Sequence, residues 1–208
     1  MTFKELVISK LTSLELPVHN EMGKEIARLK LIEEEDLNDQ QMIEKITEWR
    51  NKYKSCFLSE FIPTNERTKK WLECIVLPSD DRLLFKISTL ENEFVGHIGA
   101  INRGNYIEYD YYIVGVKSNM KNFALSIARN FLKWIVEVKD FEYILGNVRS
   151  DNEHALKFHI RTGFHIYNRV SLVKKIDTEN EFSFEKSESK DLSTIHLVEI
   201  RATKEDLS

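Results

Sequence analysis

The segment IEYDYYIVG sets Glu108 and Asp110 two residues apart within a run of aromatic and branched side chains. On a strand, alternate side chains share a face, so both carboxylates project together and Tyr109 and Tyr111 project from the other side. Paired carboxylates can accept protons, although the same pattern also decorates solvated antiparallel faces. Aspartate is disfavoured inside a strand, which singles out Asp110 over Glu108. The six histidines offer no comparable grouping. His154 and His159 are five apart and fall on different helix faces, while His19, His97, His165 and His196 lack a partner at ligand spacing, so no metal is expected. Cys56 and Cys74 form no CxxC pair or Cys/His cluster and read as reduced thiols, one in a loop and one on a buried helix face.

The elements that must carry these residues follow from periodicity. Residues 1–27 read as an N-terminal extension of undefined structure, because Pro17 and Gly23 interrupt both periods. ARLKL alternates as a strand and leads through an acidic run into a helix whose stripe is Met42, Ile46, Trp49 and Tyr53. A second helix opens at Pro63-Thr64 with Thr64 as cap, buries Thr68, Trp71, Leu72 and Ile75, and stops before Pro78. DRLLFKIST, EFVGHIGAI and YIEYDYYIV, separated by LENE and NRGN, then form an antiparallel meander. A long amphipathic helix starts at Ser118, with Met120, Phe123, Ala124, Ile127, Phe131, Trp134, Ile135 and Val138 on one face. EYILGNV is a strand, Ser150 and Asp151 cap another helix ending at Gly163, and GFHIYNRVSLVKK is a further strand. TIHLVEI can supply one more strand beyond a charged loop over residues 185–191.

Composition narrows the class. The chain has 208 residues, 42% of them hydrophobic and 31% charged, enough for one domain with a sizeable core. Its 7 glycines and 3 prolines leave little material for a flexible linker. A net charge of -4 argues against a nucleic-acid partner engaged through a basic face. WRNKYK, residues 49–54, mixes aromatics with cations but is one turn of an amphipathic helix. No apolar run approaches the ~20 residues that span a bilayer. Glu5 and Glu15 interrupt the apolar start, so no signal peptide and no membrane association are expected, and the cytoplasm is the expected compartment.

The order βααβββαβαβ, together with NEHALKFHIRTGF at residues 152–164, resembles the GNAT acyl-CoA N-acyltransferases. Asn152, Ala155, Phe158 and Gly163-Phe164 match the family pattern, and His159 stands where the family usually has Tyr. The resemblance implies an α+β fold, a mixed α/β sandwich. Its central sheet is mostly antiparallel, with a splayed parallel fourth and fifth strand and flanking helices, over residues 28–208. It implies acetyl-CoA as co-substrate, without metal, and a small amine-bearing acceptor, with a homodimer among the expected states. The pantetheine arm would pair with backbone freed where YIEYDYYIV and EYILGNV part, aided by Asn152 and Phe158. The pyrophosphate would meet the start of the long helix and its approach, drawing on Val114, Val116, Lys117, Asn119, Lys121, Asn122 and Ala124.

Here the sequence departs from the family, for VKSNMKNFALS has no glycine after Gly115. The resemblance further implies Asp110 or Glu108 as base for the amine, and His159 as proton donor to the departing thiolate, titrating near neutrality. Trp49-Arg50-Asn51 also resembles a segment of GNAT enzymes that acetylate amino sugars on nucleotide carriers, which makes such a sugar the first acceptor. Protein N-termini, as in the Rim-type branch, are the second. A GNAT-like domain that binds without catalysis is the alternative motivated by the missing glycines.

Overall fold

The computed structural model describes residues 1–189, 191–192 and 194–207. Lys190, in the expected charged loop, and Ser208, the end of the expected domain, lie outside the described residues. The helices are α1 (Phe3–Lys10), α2 (Gln40–Lys52), α3 (Asn65–Trp71), α4 (Phe123–Val138) and α5 (Glu153–Arg161). The strands are β1 (Glu15–His19), β2 (Glu25–Leu31), β3 (Ser59–Glu60), β4 (Arg82–Ser88), β5 (Phe94–Asn102), β6 (Tyr106–Val114), β7 (Tyr143–Arg149), β8 (His165–Thr178), β9 (Glu181–Lys186) and β10 (His196–Ala202). They join in the order β1-β2-β4-β5-β6-β7-β10-β8-β9-β3.

One pairing in that sheet positions the site. β6 and β7 are parallel and stay in register only from Tyr106 opposite Tyr143 to Tyr109 opposite Gly146. β6 then continues to Val114 without a partner on that side, while β7 runs on to Arg149, paired along its other edge with β10 from Ile144. The two strands therefore part at Asp110. α4 covers one face of the sheet with Phe123, Ile127, Phe131 and Ile135, all buried. Burying each such side chain contributes roughly 1.5–3 kcal/mol. α2 and α3 cover the other face, where Met42, Ile46, Leu72 and Leu84 form a smaller core.

Side chains already evident in the sequence set most boundaries. Asp39 caps α2 through the Met42 amide, and Thr64 caps α3 through the Arg67 amide. Several expectations are corrected. Residues 1–27, whose structure the periodicity left undefined, carry α1, β1 and the start of β2, which place Phe3, Val7, Val18 and Ile26 in the main core. Ile75 and Cys74 are exposed, not buried, because α3 ends in a π turn in which the Leu77 amide donates to the Leu72 carbonyl. The wider turn brings Val76 inward instead. α4 begins at Phe123, five residues after Ser118, leaving Met120 exposed. Asn152 caps α5, not Ser150 or Asp151. The expected charged loop starts late, since β9 runs to Lys186.

Candidate active site

Asp110 owes its orientation to an irregularity in β6. Between the Gly99–Asp110 and His97–Ile113 pairs, β6 holds one residue more than β5. Tyr111 takes up the extra length with φ 57°, a left-handed conformation that bulky side chains rarely adopt. The alternation slips there. Glu108, Asp110, Tyr111 and Ile113 all line the cavity toward α2 and α3, which corrects the expectation that Tyr111 faces away. Tyr109 does face away, packing on Phe131, Phe164 and His159. His97, buried on β5, donates from Nδ1 to the Tyr111 carbonyl and so ties down the bulge. Burial pushes its pKa down to about 4, so it is the neutral imidazole that holds the strand.

Burial raises the Asp110 carboxyl to about 6, with the nearby Glu108 adding to the effect and the Tyr111 amide opposing it. That amide donates to the Asp110 carboxylate at 2.8 Å. Glu108 shares the face, but its carboxylate is taken by the Arg103 guanidinium at 2.6 Å and by the Asn147 amide at 3.2 Å.

Two cavities meet at Asp110. One, of about 340 Å³, lies in the gap between β6 and β7 and reaches α5 and the start of α4. Val114, Ala124, Asn152 and Phe158 line it, as does His159. The Asn152 side-chain oxygen accepts from the Ala155 amide at 3.2 Å, which leaves its NH2 group as a donor. Phe158 stacks on Tyr112, whose hydroxyl donates to the Ala124 carbonyl at 2.6 Å. His159 sits among Tyr109, Phe158 and Phe164 with Nδ1 buried and without a partner among the described residues. Burial lowers its pKa to about 4, so the expectation of titration near neutrality is corrected.

The start of α4 lacks the family's glycines, and a left-handed residue precedes the helix. Asn122 adopts φ 60° and ψ 19° and makes no side-chain cap for the helix. Asparagine tolerates that region better than other residues with a Cβ. The first-turn amides of α4 are thus left without a side-chain cap, as an anion-binding helix start requires. Arg161, at the end of α5, donates to the Asn122 side chain at 3.3 Å and adds a cation that the sequence reading missed. Lys117, Asn119 and Lys121 are exposed on the approach to α4, whereas Val116 packs on the core. A pantetheine arm and a pyrophosphate therefore fit the gap, Asn152 and the start of α4.

The second cavity, of about 450 Å³, is lined by α2, α3, the chain at 56–61, β6 and β7, and includes Arg50, Phe57, Phe61, Trp71, Asn147 and Arg149. Cys56, Phe57, Asp110, Tyr111, Ile113 and Asn147 line both cavities. Asn147, with a buried and unpartnered side-chain oxygen, went unread in the sequence because nothing in GNV marks it. Arg149 is 5% exposed and holds Asp151 through two bonds and the Phe57 carbonyl at 3.1 Å, tying the cavity wall to the end of β7. Among the described residues no group of three or more His, Cys, Asp or Glu side chains could hold a metal, and no helix is long and apolar enough to cross a membrane.

Comparisons with known proteins agree with this fold. The family model described as Acetyltransferase (GNAT) domain matches residues 29–182. The chain belongs to the GNAT family, the acyl-CoA-dependent N-acetyltransferases. A GNAT-family acetyltransferase from Bacillus anthracis superposes with TM-score 0.65 at 16% identity, covering 91% of this chain and 99% of that one. A probable GNAT acetyltransferase from Chromobacterium violaceum gives TM-score 0.68 at 11% identity, covering 95% and 89%. Spermidine N-acetyltransferase from Vibrio cholerae, solved with CoA and spermine, gives 0.64 at 14% identity, covering 87% and 97%. Among curated proteins there is no match.

Proposed function

We propose that this protein transfers an acetyl group from acetyl-CoA to a primary amine. The thioester arm occupies the gap between β6 and β7, and the amine enters from the cavity between α2, α3 and β6. The observation that carries this reading is Asp110, a half-buried carboxylate that lines both cavities where the strands part.

The chemistry is direct attack. An amine lone pair forms the new C–N bond at the thioester carbonyl, the C–S bond breaks, and the proton that the bonded nitrogen then sheds ends on the departing thiolate, giving the amide and CoA thiol. Asp110 takes the proton that the ammonium form must lose before attack, and a pKa of about 6 leaves it ionised at neutral pH. Glu108, held by Arg103 and Asn147, supports that charge arrangement without being the acceptor. We assign His159 a hydrogen bond to the departing sulfur, donated by neutral imidazole rather than by imidazolium. A thiolate is a good leaving group, so this assistance is smaller than that of the base. The finer acceptor choice, an amino sugar on a nucleotide carrier, loses the footing that Trp49-Arg50-Asn51 lent it. Trp49 is buried against Phe94 and Gly115, and Asn51 is exposed; only Arg50 of the three lines the cavity.

Calorimetry with acetyl-CoA, followed by thiol release in the presence of primary amines, tests the proposal. Acetyl-CoA at 100 times its Kd should add about 2.7 kcal/mol of stability. Asn152→Ala should weaken binding by about 1–3 kcal/mol through the lost amide donor. A protein that neither binds acetyl-CoA nor releases thiol is a binding domain of another kind.

A further inference from the structure

The charges around the acceptor cavity are almost all neutralised in pairs. Arg67 is bound by Glu181, Arg149 by Asp151 with Glu60 at 3.6 Å, and Glu108 by Arg103. Two charged groups remain without a close ion pair among the described residues, Asp110 and Arg50, with Arg50 lying in the field of Asp110 and Glu60. The Arg50 guanidinium spends Nη2 on the Ser59 carbonyl at 2.7 Å and the Ser59 hydroxyl at 3.2 Å. Its Nη1 is buried with no partner among the described residues.

The aromatic walls fix that group in place. The guanidinium lies 3.6 Å from the Phe57 ring centre and 4.8 Å from that of Phe61. A guanidinium packed on two rings, with one nitrogen spent on Ser59 and the other buried and unpaired at the cavity wall, holds a charged donor that suits an oxyanion. Leaving a buried charged donor unsatisfied is costly, and an oxyanion in the cavity removes that cost. Burial opposes the charge on Arg50 and lowers its pKa to about 10, with the charges of Asp110 and Glu60 acting the other way.

We propose that the acceptor is an amine that also bears an oxyanion, carboxylate or phosphate: Arg50 receives the oxyanion through Nη1 while Asp110 receives the ammonium. This rests on the acetyl-transfer reading and narrows its substrate class. A polycation such as the spermine bound by the Vibrio cholerae relative would set a positive charge against Arg50, so this cavity selects against it.

The test uses matched amines with acetyl-CoA and thiol release as the readout: phenylalanine against phenylalaninamide, glucosamine 6-phosphate against glucosamine, and spermidine. At least one oxyanionic member should exceed its neutral partner and spermidine by tenfold or more in kcat/KM, and the pair that shows it separates carboxylate from phosphate. Arg50→Gln should bring that ratio to within about threefold while calorimetric acetyl-CoA affinity holds. Equal or better turnover of the neutral partners or of spermidine overturns the proposal, as does a tenfold preference that survives in the variant. Should Arg50→Gln lose acetyl-CoA binding through misfolding, the wild-type ratios decide alone. Acetyl-CoA binding without turnover of any of these amines overturns the acceptor class, whereas absence of acetyl-CoA binding overturns the transfer reading beneath it.

Discussion

An ionised Asp110 works against folding. Its pKa is about 6 in the fold against 3.8 ordinarily, so the folded chain holds the proton more tightly than the unfolded one. Stability is therefore lost as pH rises from about 4 through 6, and the loss is complete above that window. Asp110→Asn removes the charge and should stabilise the protein at pH 7.5 by the order of 1–3 kcal/mol. The gain should vanish near pH 4, which thermal melts across that range will register. The same substitution should abolish the limb of kcat/KM that rises with a midpoint near 6. His159→Phe should lower turnover and leave that limb untouched, since His159 titrates at about 4. A limb near 6 that persists in the Asn variant assigns the base elsewhere. The shared face of Glu108 and Asp110 was legible in the sequence because it needs only the period of a strand. That Asp110 alone sits at the fork was not, because the fork depends on how far β7 follows β6, and the bulge on contacts with β5.

At the level of elements, the approach to α4 shows which part of a motif is chemistry and which is backbone. Glycine is useful there for its access to positive φ, and Asn122 reaches φ 60° without it. Asn122→Gly should thus keep acetyl-CoA affinity, measured by calorimetry, within about threefold of the wild type. Asn122→Val places a branched Cβ in a left-handed conformation that costs roughly 1–2 kcal/mol or more, so affinity should fall about tenfold as the helix start shifts. Equal affinity in the two variants would mean that the α4 start does not hold the phosphates. The spacing of apolar residues revealed α4, α5 and the meander, whose stripes are long. It misjudged the start of α4 by five residues because Met120 extends the stripe in sequence while the chain at 119–122 bends and turns before the helix. Likewise the π turn after α3 is invisible to a count at helical spacing, and it decides that Ile75 is outside and Val76 inside.

For the whole molecule, the least legible region proves to be structural. Pro17 and Gly23 break the periodicity of residues 1–27, yet neither breaks the fold. Pro17 lies in β1, an edge strand of the sheet, where a missing amide is tolerated, and Gly23 turns the chain with φ 74°. Phe3, Val7, Val18 and Ile26 are each 5% exposed or less and join the core beneath α4. The His19 amide and carbonyl bond to the Asn130 side chain of α4, fastening β1 to the helix whose start faces the β6/β7 gap. Removing residues 1–27 would strip these side chains and leave the remnant of β2, residues 28–31, as a bare edge prone to pairing with other chains. At roughly 1.5–3 kcal/mol per buried side chain, the four together amount to about 6–12 kcal/mol, comparable with the whole stability of a typical domain. The truncated chain should therefore lose its cooperative thermal transition and aggregate, and acetyl-CoA should not restore it. A truncated protein that melts cooperatively within a few degrees of the full chain and still binds acetyl-CoA would make residues 1–27 an appendage, with the main core closing without them.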